Sequence, residues 1–228
     1  MSKSFGNKVI EFYKELKDDW DIPQGFETLF PFRESEVMRV MTSFYGKYFS
    51  DAGDRIFLYG INPGRFGAGV TGISFTDPAI LEQYCDIPND FKKRHETSSL
   101  FIYEVIKNWG GFESFYQHFY ITSICPLGFL KDGKNANYYD DRQLEKAVED
   151  KIVKLMWEQI QFGANRQIAF SVGKGTNFKK LKALNDKHGF FENVKPLPHP
   201  RWVMQYRRKK MDIFVGQYQN ELKKAIRS

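Results

Sequence analysis

Leu58-Tyr59-Gly60-Ile61-Asn62-Pro63-Gly64-Arg65-Phe66-Gly67, followed closely by Thr71-Gly72-Ile73-Ser74-Phe75, is the stretch whose reading decides the fold. It is entered through Arg55-Ile56-Phe57-Leu58-Tyr59, a short apolar run bounded by Gly60, which reads as a buried strand. Beyond Gly60 the chain becomes a glycine-rich loop that no packing argument requires. Asn-Pro-Gly alone is ordinary turn chemistry, so Asn62 acquires meaning only from the longer pattern around it.

Working outward, three further strands are expected at Phe119-Ile124, Arg166-Val172 and Phe191-Lys195. Between them lie helical spacings. Val9, Phe12, Tyr13 and Leu16 recur on one face, as do Val37, Val40, Met41, Phe44 and Tyr48. Ser98 to Trp109 reads as a helix stopped by Gly110-Gly111, and a charged helix runs from about Asp141 to Gln161. Gly173-Lys174-Gly175-Thr176 turns a strand into another helix, and a last helix carries Met211, Phe214, Val215, Tyr218 and Leu222. Strands alternating with helices imply an α/β fold whose parallel sheet is covered on both sides. Ligands in such sheets sit beyond the carboxyl ends of the strands. Asn62, Ser123 and His199 all fall at or just past such an end.

The chain has 228 residues, enough for one large domain with a substantial core. No linker, repeat or low-complexity tract divides it, so a single domain over 1–228 is expected, with 1–33 as an N-terminal helical extension. Lys and Arg number 34 against 28 Asp and Glu, a net charge of +6 whose sign suits a polyanionic partner. Cys85 and Cys125 are the only cysteines, with neither a metal-site spacing nor a disulfide framework, which fits a reducing compartment. No apolar run is long enough to span a membrane, and no leader-like segment opens the chain. A soluble cytoplasmic protein is the expectation.

A second segment, Pro198-His199-Pro200-Arg201-Trp202, lies far from the first in sequence. Together, in this order, the two resemble the signature motifs of the uracil-DNA glycosylase superfamily, and within it the single-strand-selective monofunctional (SMUG-like) branch. There a G-x-N-P-G-x-F-G loop continuing to T-G-x-x-F pairs with a late His-Pro. The resemblance runs from the first strand to the final helix and implies a three-layer α/β/α sandwich around a mainly parallel four-stranded sheet. It also implies a monofunctional DNA glycosylase that flips a deaminated base and hydrolyses its N-glycosidic bond. The alternative is a non-catalytic nucleic-acid-binding protein on the same fold.

By that resemblance His199 donates a hydrogen bond to O2 of the departing base, a contact made mainly in the transition state and worth about 3–4 kcal/mol. Asn62 orients the attacking water; an amide is a poor base, so catalysis rests on positioning. Phe75 supplies the stacking platform, worth about 1–3 kcal/mol. Ile61 and Gly64 join Phe75 and Ser123 around the base. Gly64 stands where the thymine-excluding branch carries a Tyr, leaving the 5-methyl edge unblocked. Ser123 stands, aligned on Cys125-Pro126-Leu127, where the family has an Asn that reads the Watson–Crick edge. A lone hydroxyl discriminates less than an amide, so a range wider than uracil, extending to xanthine, is expected.

The loop after His-Pro supplies a wedge in the family. Met204, in a segment too polar for the core, is its first candidate and Arg201 the second. Arg207, Arg208, Lys209 and Lys210 are expected on the first turn of the last helix, gripping DNA phosphates. Phe91-Lys92-Lys93-Arg94-His95 reads as a solvated charge run, and Gly173-Lys174-Gly175-Thr176 lacks the full phosphate-loop pattern. No metal or cofactor is implied; the iron–sulfur branches need four cysteines. No lysine stands out as a Schiff-base nucleophile. The expected partner is DNA containing deaminated bases, bound by a monomer.

Overall fold

The structure is a computed structural model and describes residues 3–227. Helix α1 (Phe5–Glu15) opens on a cap in which the Ser4 hydroxyl accepts from Asn7 N–H. Strand β1 (Phe26–Leu29) and a 3₁₀ turn at Pro31–Arg33 lead into α2 (Ser35–Tyr48) and the fully buried β2 (Arg55–Gly60). Two short helices, α3 (Ala68–Thr71) and α4 (Pro78–Cys85), precede α5 (Thr97–Trp109), which Gly110 ends at a positive φ of 117°. Next come α6 (Phe112–Tyr116), β3 (Phe119–Ser123), β4 (Gly128–Lys131) and β5 (Lys134–Ala136). Helix α7 (Arg142–Ile160) starts where the Asp141 carboxylate accepts from the N–H groups of Gln143 and Leu144. The chain finishes with β6 (Ala164–Val172), α8 (Thr176–His188), β7 (Asn193–Leu197), α9 (Pro200–Tyr206), a 3₁₀ turn at Arg208–Lys210 and α10 (Met211–Ala225).

The central sheet has the order β3-β2-β6-β7 and all its pairings are parallel. It is flanked by helices, as the α/β/α expectation requires. Because β3 lies on one side of β2 and β6 on the other, successive connections leave in opposite directions from β2. A crevice therefore opens between the loops that follow β2 and β6. Register carries the loops to this end: Gly60 pairs with Ser123, and Val172 with Leu197. Bonds just past the strands hold the exits together, from Ile124 N to Gly60 O, Cys125 N to Ile61 O and Gly173 N to Leu197 O.

The expected strand at Phe191–Lys195 sits two residues later. The Asn185 side chain takes both backbone groups of Phe191, accepting from its N–H at 2.7 Å and donating to its carbonyl at 2.9 Å, so Phe191 is unavailable to the ladder. Residues 3–33, read as a helical extension, hold a helix, a strand and a 3₁₀ turn. Phe5 and Val9 are wholly buried, with the Phe5 ring against Phe49, Phe57, Tyr120 and Phe162. Strand β1 joins a second, antiparallel sheet of order β1-β4-β5 that sequence reading missed. Asp132-Gly133, both at positive φ (51° and 66°), form its two-residue turn between paired Lys131 and Lys134. Among the described residues no helix is long and apolar enough to cross a membrane.

Candidate active site

Asn62 is two residues beyond β2, and the small antiparallel sheet fixes its amide. Its Nδ2 donates to Ala136 O at 3.2 Å while its Oδ1 accepts from Tyr138 N–H at 3.1 Å. A carbonyl can only accept and an N–H only donate, so the two ends of the amide are assigned without ambiguity. Oδ1 keeps a second lone pair free for a water. The loop is held close on either side. A Cβ on Gly128 would collide with the Pro63 carbonyl, and one on Gly69 would come within 2.7 Å of Gly64 O.

Phe75 packs at the same strand end. Its backbone adopts φ 52°, a left-handed conformation uncommon for a bulky residue, and its ring lies where a Cβ on Gly60 would meet it at 2.9 Å. Gly60 thus makes room for a half-buried aromatic ring directly beside Asn62's strand. Ser123, the register partner of Gly60, is buried there too. Gly64 faces Asn135 Nδ2 at 3.3 Å and Glu96 Oε1 at 3.7 Å, measured from the position a Cβ would take. Burial raises the Glu96 carboxyl to about 7; Asp77 adds to the rise, whereas Ser99 and Arg201 oppose it.

His199 caps α9, and its Nδ1 accepts from Arg201 N–H at 3.1 Å. The ring proton is therefore on Nε2, the nitrogen left free to donate. Burial, with Arg201's positive charge adding to it, lowers the pKa to about 4, so the donor is a neutral imidazole at physiological pH. The preceding carbonyl, Pro198 O, accepts from the buried Tyr218 hydroxyl at 2.6 Å, which ties the motif to α10.

Ile61 and His199 line one cavity of about 480 Å³ at the crevice between β2 and β6. Tyr139, Lys174, Asn177 and Trp202 share its wall, none of them anticipated as site residues. Asn177, at the start of α8, donates to Tyr59 O at 3.1 Å and so straps that helix to β2. Asn62, Phe75 and Ser123 do not line this cavity; they gather beside it, where the Phe75 ring fills the space over Gly60. The glycine turn read as a failed phosphate loop is thus part of the cleft wall. Its signal in sequence was position: it follows a strand, like the other site loops. Among the described residues no group of three or more His, Cys, Asp or Glu side chains could hold a metal ion.

The segment after His-Pro departs from expectation. Met204 is buried in α9 next to Val203, so the reason for choosing it as a wedge fails. The helix exposes Arg201, Trp202 and Tyr206 instead, Trp202 and Tyr206 one turn apart on the same face. Arg207 and the 3₁₀ turn Arg208–Lys210 precede α10 rather than forming its first turn. All four cations are exposed, and none forms an ion pair among the described residues. Arg207 lies over the Trp202 ring at 5.2 Å.

Three comparisons bear on this site. The model of the uracil DNA glycosylase superfamily matches residues 47–223. Among solved structures, the chain is similar to wild-type SMUG2 of Pedobacter heparinus, with 41% identity, a TM-score of 0.96 and complete coverage of both chains. No curated protein matches. With both motifs at the carboxyl end of one parallel sheet, the chain belongs to the uracil DNA glycosylase superfamily, in its SMUG-like branch, and is an enzyme of that type.

Proposed function

We propose that the protein flips a deaminated base out of DNA, hydrolyses its N-glycosidic bond and leaves an abasic site for base excision repair. Uracil is one substrate and xanthine a second. Water held by Asn62 Oδ1 attacks C1′ while the C1′–N bond breaks and its electron pair leaves with the base. The water's surplus proton passes to solvent, and the base anion takes up a proton there. His199 Nε2–H meets the charge that gathers on O2. The observation that carries this reading is the hydrogen bond from Arg201 N–H to His199 Nδ1 at 3.1 Å, which leaves Nε2 as the donor, while burial favours the neutral ring. A neutral N–H donor stabilises the departing anion by hydrogen bonding, without transferring its proton and without attracting the ground-state phosphate charge.

Phe75 stacks on the flipped base and Ser123, with Ile61 and Gly64, bounds it. One adaptable hydroxyl, donor or acceptor as required, tolerates both the pyrimidine and the purine edge. Flipping costs a few kcal/mol of unstacking, offset in part by a side chain that enters the vacated stack. With Met204 buried, that role falls to exposed Arg201 or Trp202. Arg207 to Lys210 hold backbone phosphates. The test is alkali-revealed strand breakage of oligonucleotides carrying uracil, xanthine, hypoxanthine or 5-hydroxymethyluracil. Breakage at uracil and xanthine is expected; an inert protein on all four refutes the proposal.

A further inference from the structure

Arg65 and Arg94 come from segments that sequence reading kept apart, one in the Asn62 loop and the other in the charge run Phe91–His95. In the fold both guanidinium groups lie over the ring of Phe66, Arg65 at 4.6 Å and Arg94 at 3.8 Å from its centroid. Arg65 is further pinned on the β4–β5 hairpin. Its backbone N–H donates to Asn135 Oδ1 at 3.1 Å, and its guanidinium donates to Gly133 O. Both arginines are exposed, and neither forms an ion pair among the described residues.

Two like charges are thus drawn to one ring without an ion-paired carboxylate, although the Glu96 carboxyl lies against Gly64 and Gly67 of the same loop. Cation–π attraction draws each guanidinium to the ring, and the fixed pair of forks that results suits an anion with several oxygens. The ring contacts and the hairpin limit the freedom of both side chains, so less ordering is required when an anion binds. Arg65 is three residues from Asn62, on the same loop. An anion held there is a neighbour of the reacting nucleotide.

We propose that Arg65, Phe66 and Arg94 form a phosphate-binding shelf for the DNA backbone beside the flipped nucleotide, separate from the Arg207–Lys210 cluster. The proposal rests on the glycosylase reading for the identity of the polyanion. The shelf makes the Phe91–His95 run part of the DNA interface. It also gives the Asn62 loop a second role, gripping the strand whose base it helps to remove.

The test is the salt dependence of binding to an undamaged fluorescent duplex, measured by anisotropy, with uracil excision assayed in parallel. Four proteins are compared: wild type, Arg65→Gln/Arg94→Gln, Arg65→Lys/Arg94→Lys, and the variant with Arg207, Arg208, Lys209 and Lys210 replaced by Ala. Thermal melting checks that each is folded. The Gln pair is expected to flatten the slope of log affinity against log salt by about 0.9 for each duplex phosphate that is no longer neutralised. The Lys pair keeps charge and should stay near the wild-type slope. If the Gln pair fails to fold, the single variants Arg65→Gln and Arg94→Gln take its place, each expected to flatten the slope; wild-type slopes in both folded single variants overturn the shelf. A folded Gln pair with the wild-type slope also overturns it. Wild-type protein that binds with a steep slope yet excises nothing refutes the glycosylase reading and leaves the shelf standing.

Discussion

Replacing Asn62 by Asp exposes the logic of the site, because the two are nearly the same shape and differ only in that an NH2 donor group becomes an oxygen that can carry charge. In the wild type Nδ2 donates to Ala136 O at 3.2 Å and Oδ1 accepts from Tyr138 N–H at 3.1 Å. An ionised Asp keeps the second bond, now charge-assisted, but turns an acceptor oxygen toward the Ala136 carbonyl. Leaving a buried acceptor unmatched costs about 1–3 kcal/mol, and Asn62 is only half-buried, so roughly 1–2 kcal/mol is the expected loss. A protonated Asp avoids it by donating O–H to the carbonyl. The fold therefore favours the neutral acid and raises the pKa of the new carboxyl above the ordinary carboxylate range. An acid with a raised folded-state pKa confers stability that is intact at low pH and lost as pH rises through that pKa. Denaturant melts of wild type and Asn62→Asp at pH 5 and pH 8 test this. The variant should approach wild-type stability at pH 5 and fall below it at pH 8. A variant as stable as wild type at pH 8 would refute the claim that Ala136 O selects an amide here.

Glu96→Gln should remove a pH dependence of stability. With the Glu96 pKa raised to about 7 by burial, its contribution is complete below the ordinary value of 4.5 and lost as pH rises through 7, by at most about 3 kcal/mol before solvent screening; melts from pH 5 to 8.5 should slope for wild type and flatten for the variant. His199, with its pKa lowered to about 4, should stay a neutral donor from pH 5 to 8, so single-turnover excision in the Glu96→Gln background should show no step near 6.5. Its stability effect has the opposite sign, falling as pH drops from 6.5 toward 4. Ser123→Asn should shift the ratio of uracil to xanthine excision rates upward by about tenfold or more, the discrimination expected when an amide must be satisfied; an unchanged ratio would remove Ser123 from specificity.

The central sheet was legible because β2 and β3 are short, largely apolar runs and β6 ends in one, Ile168–Val172, each closed by turn residues, the pattern a doubly covered parallel sheet imposes. Asn62, Ser123 and His199 could then be placed at strand ends by topology, while their roles came from the family resemblance. The antiparallel sheet was missed although Asp132-Gly133 announces its hairpin, since β4 and β5 are too short and polar to show a period of two. That omission mattered: Ala136 and Tyr138, which orient Asn62, lie at the end of β5 and just beyond it. Met204 was misjudged because polar neighbours in sequence point outward from α9 while Met204 turns in, a distinction only the helix reveals. The stacking of Arg65 and Arg94 on Phe66 joins residues from separate segments, and no local pattern encodes it.

Single-turnover excision of uracil from an oligonucleotide by wild type, Asn62→Ala and His199→Ala, with folding checked by melting, tests the central claim most directly. Wild type should generate abasic sites, and each variant should remain folded yet fall by at least about tenfold, toward 10²–10³ for His199→Ala, the loss typical of one transition-state donor. Wild-type rates in both folded variants would contradict the assignment of water to Asn62 and of the leaving base to His199.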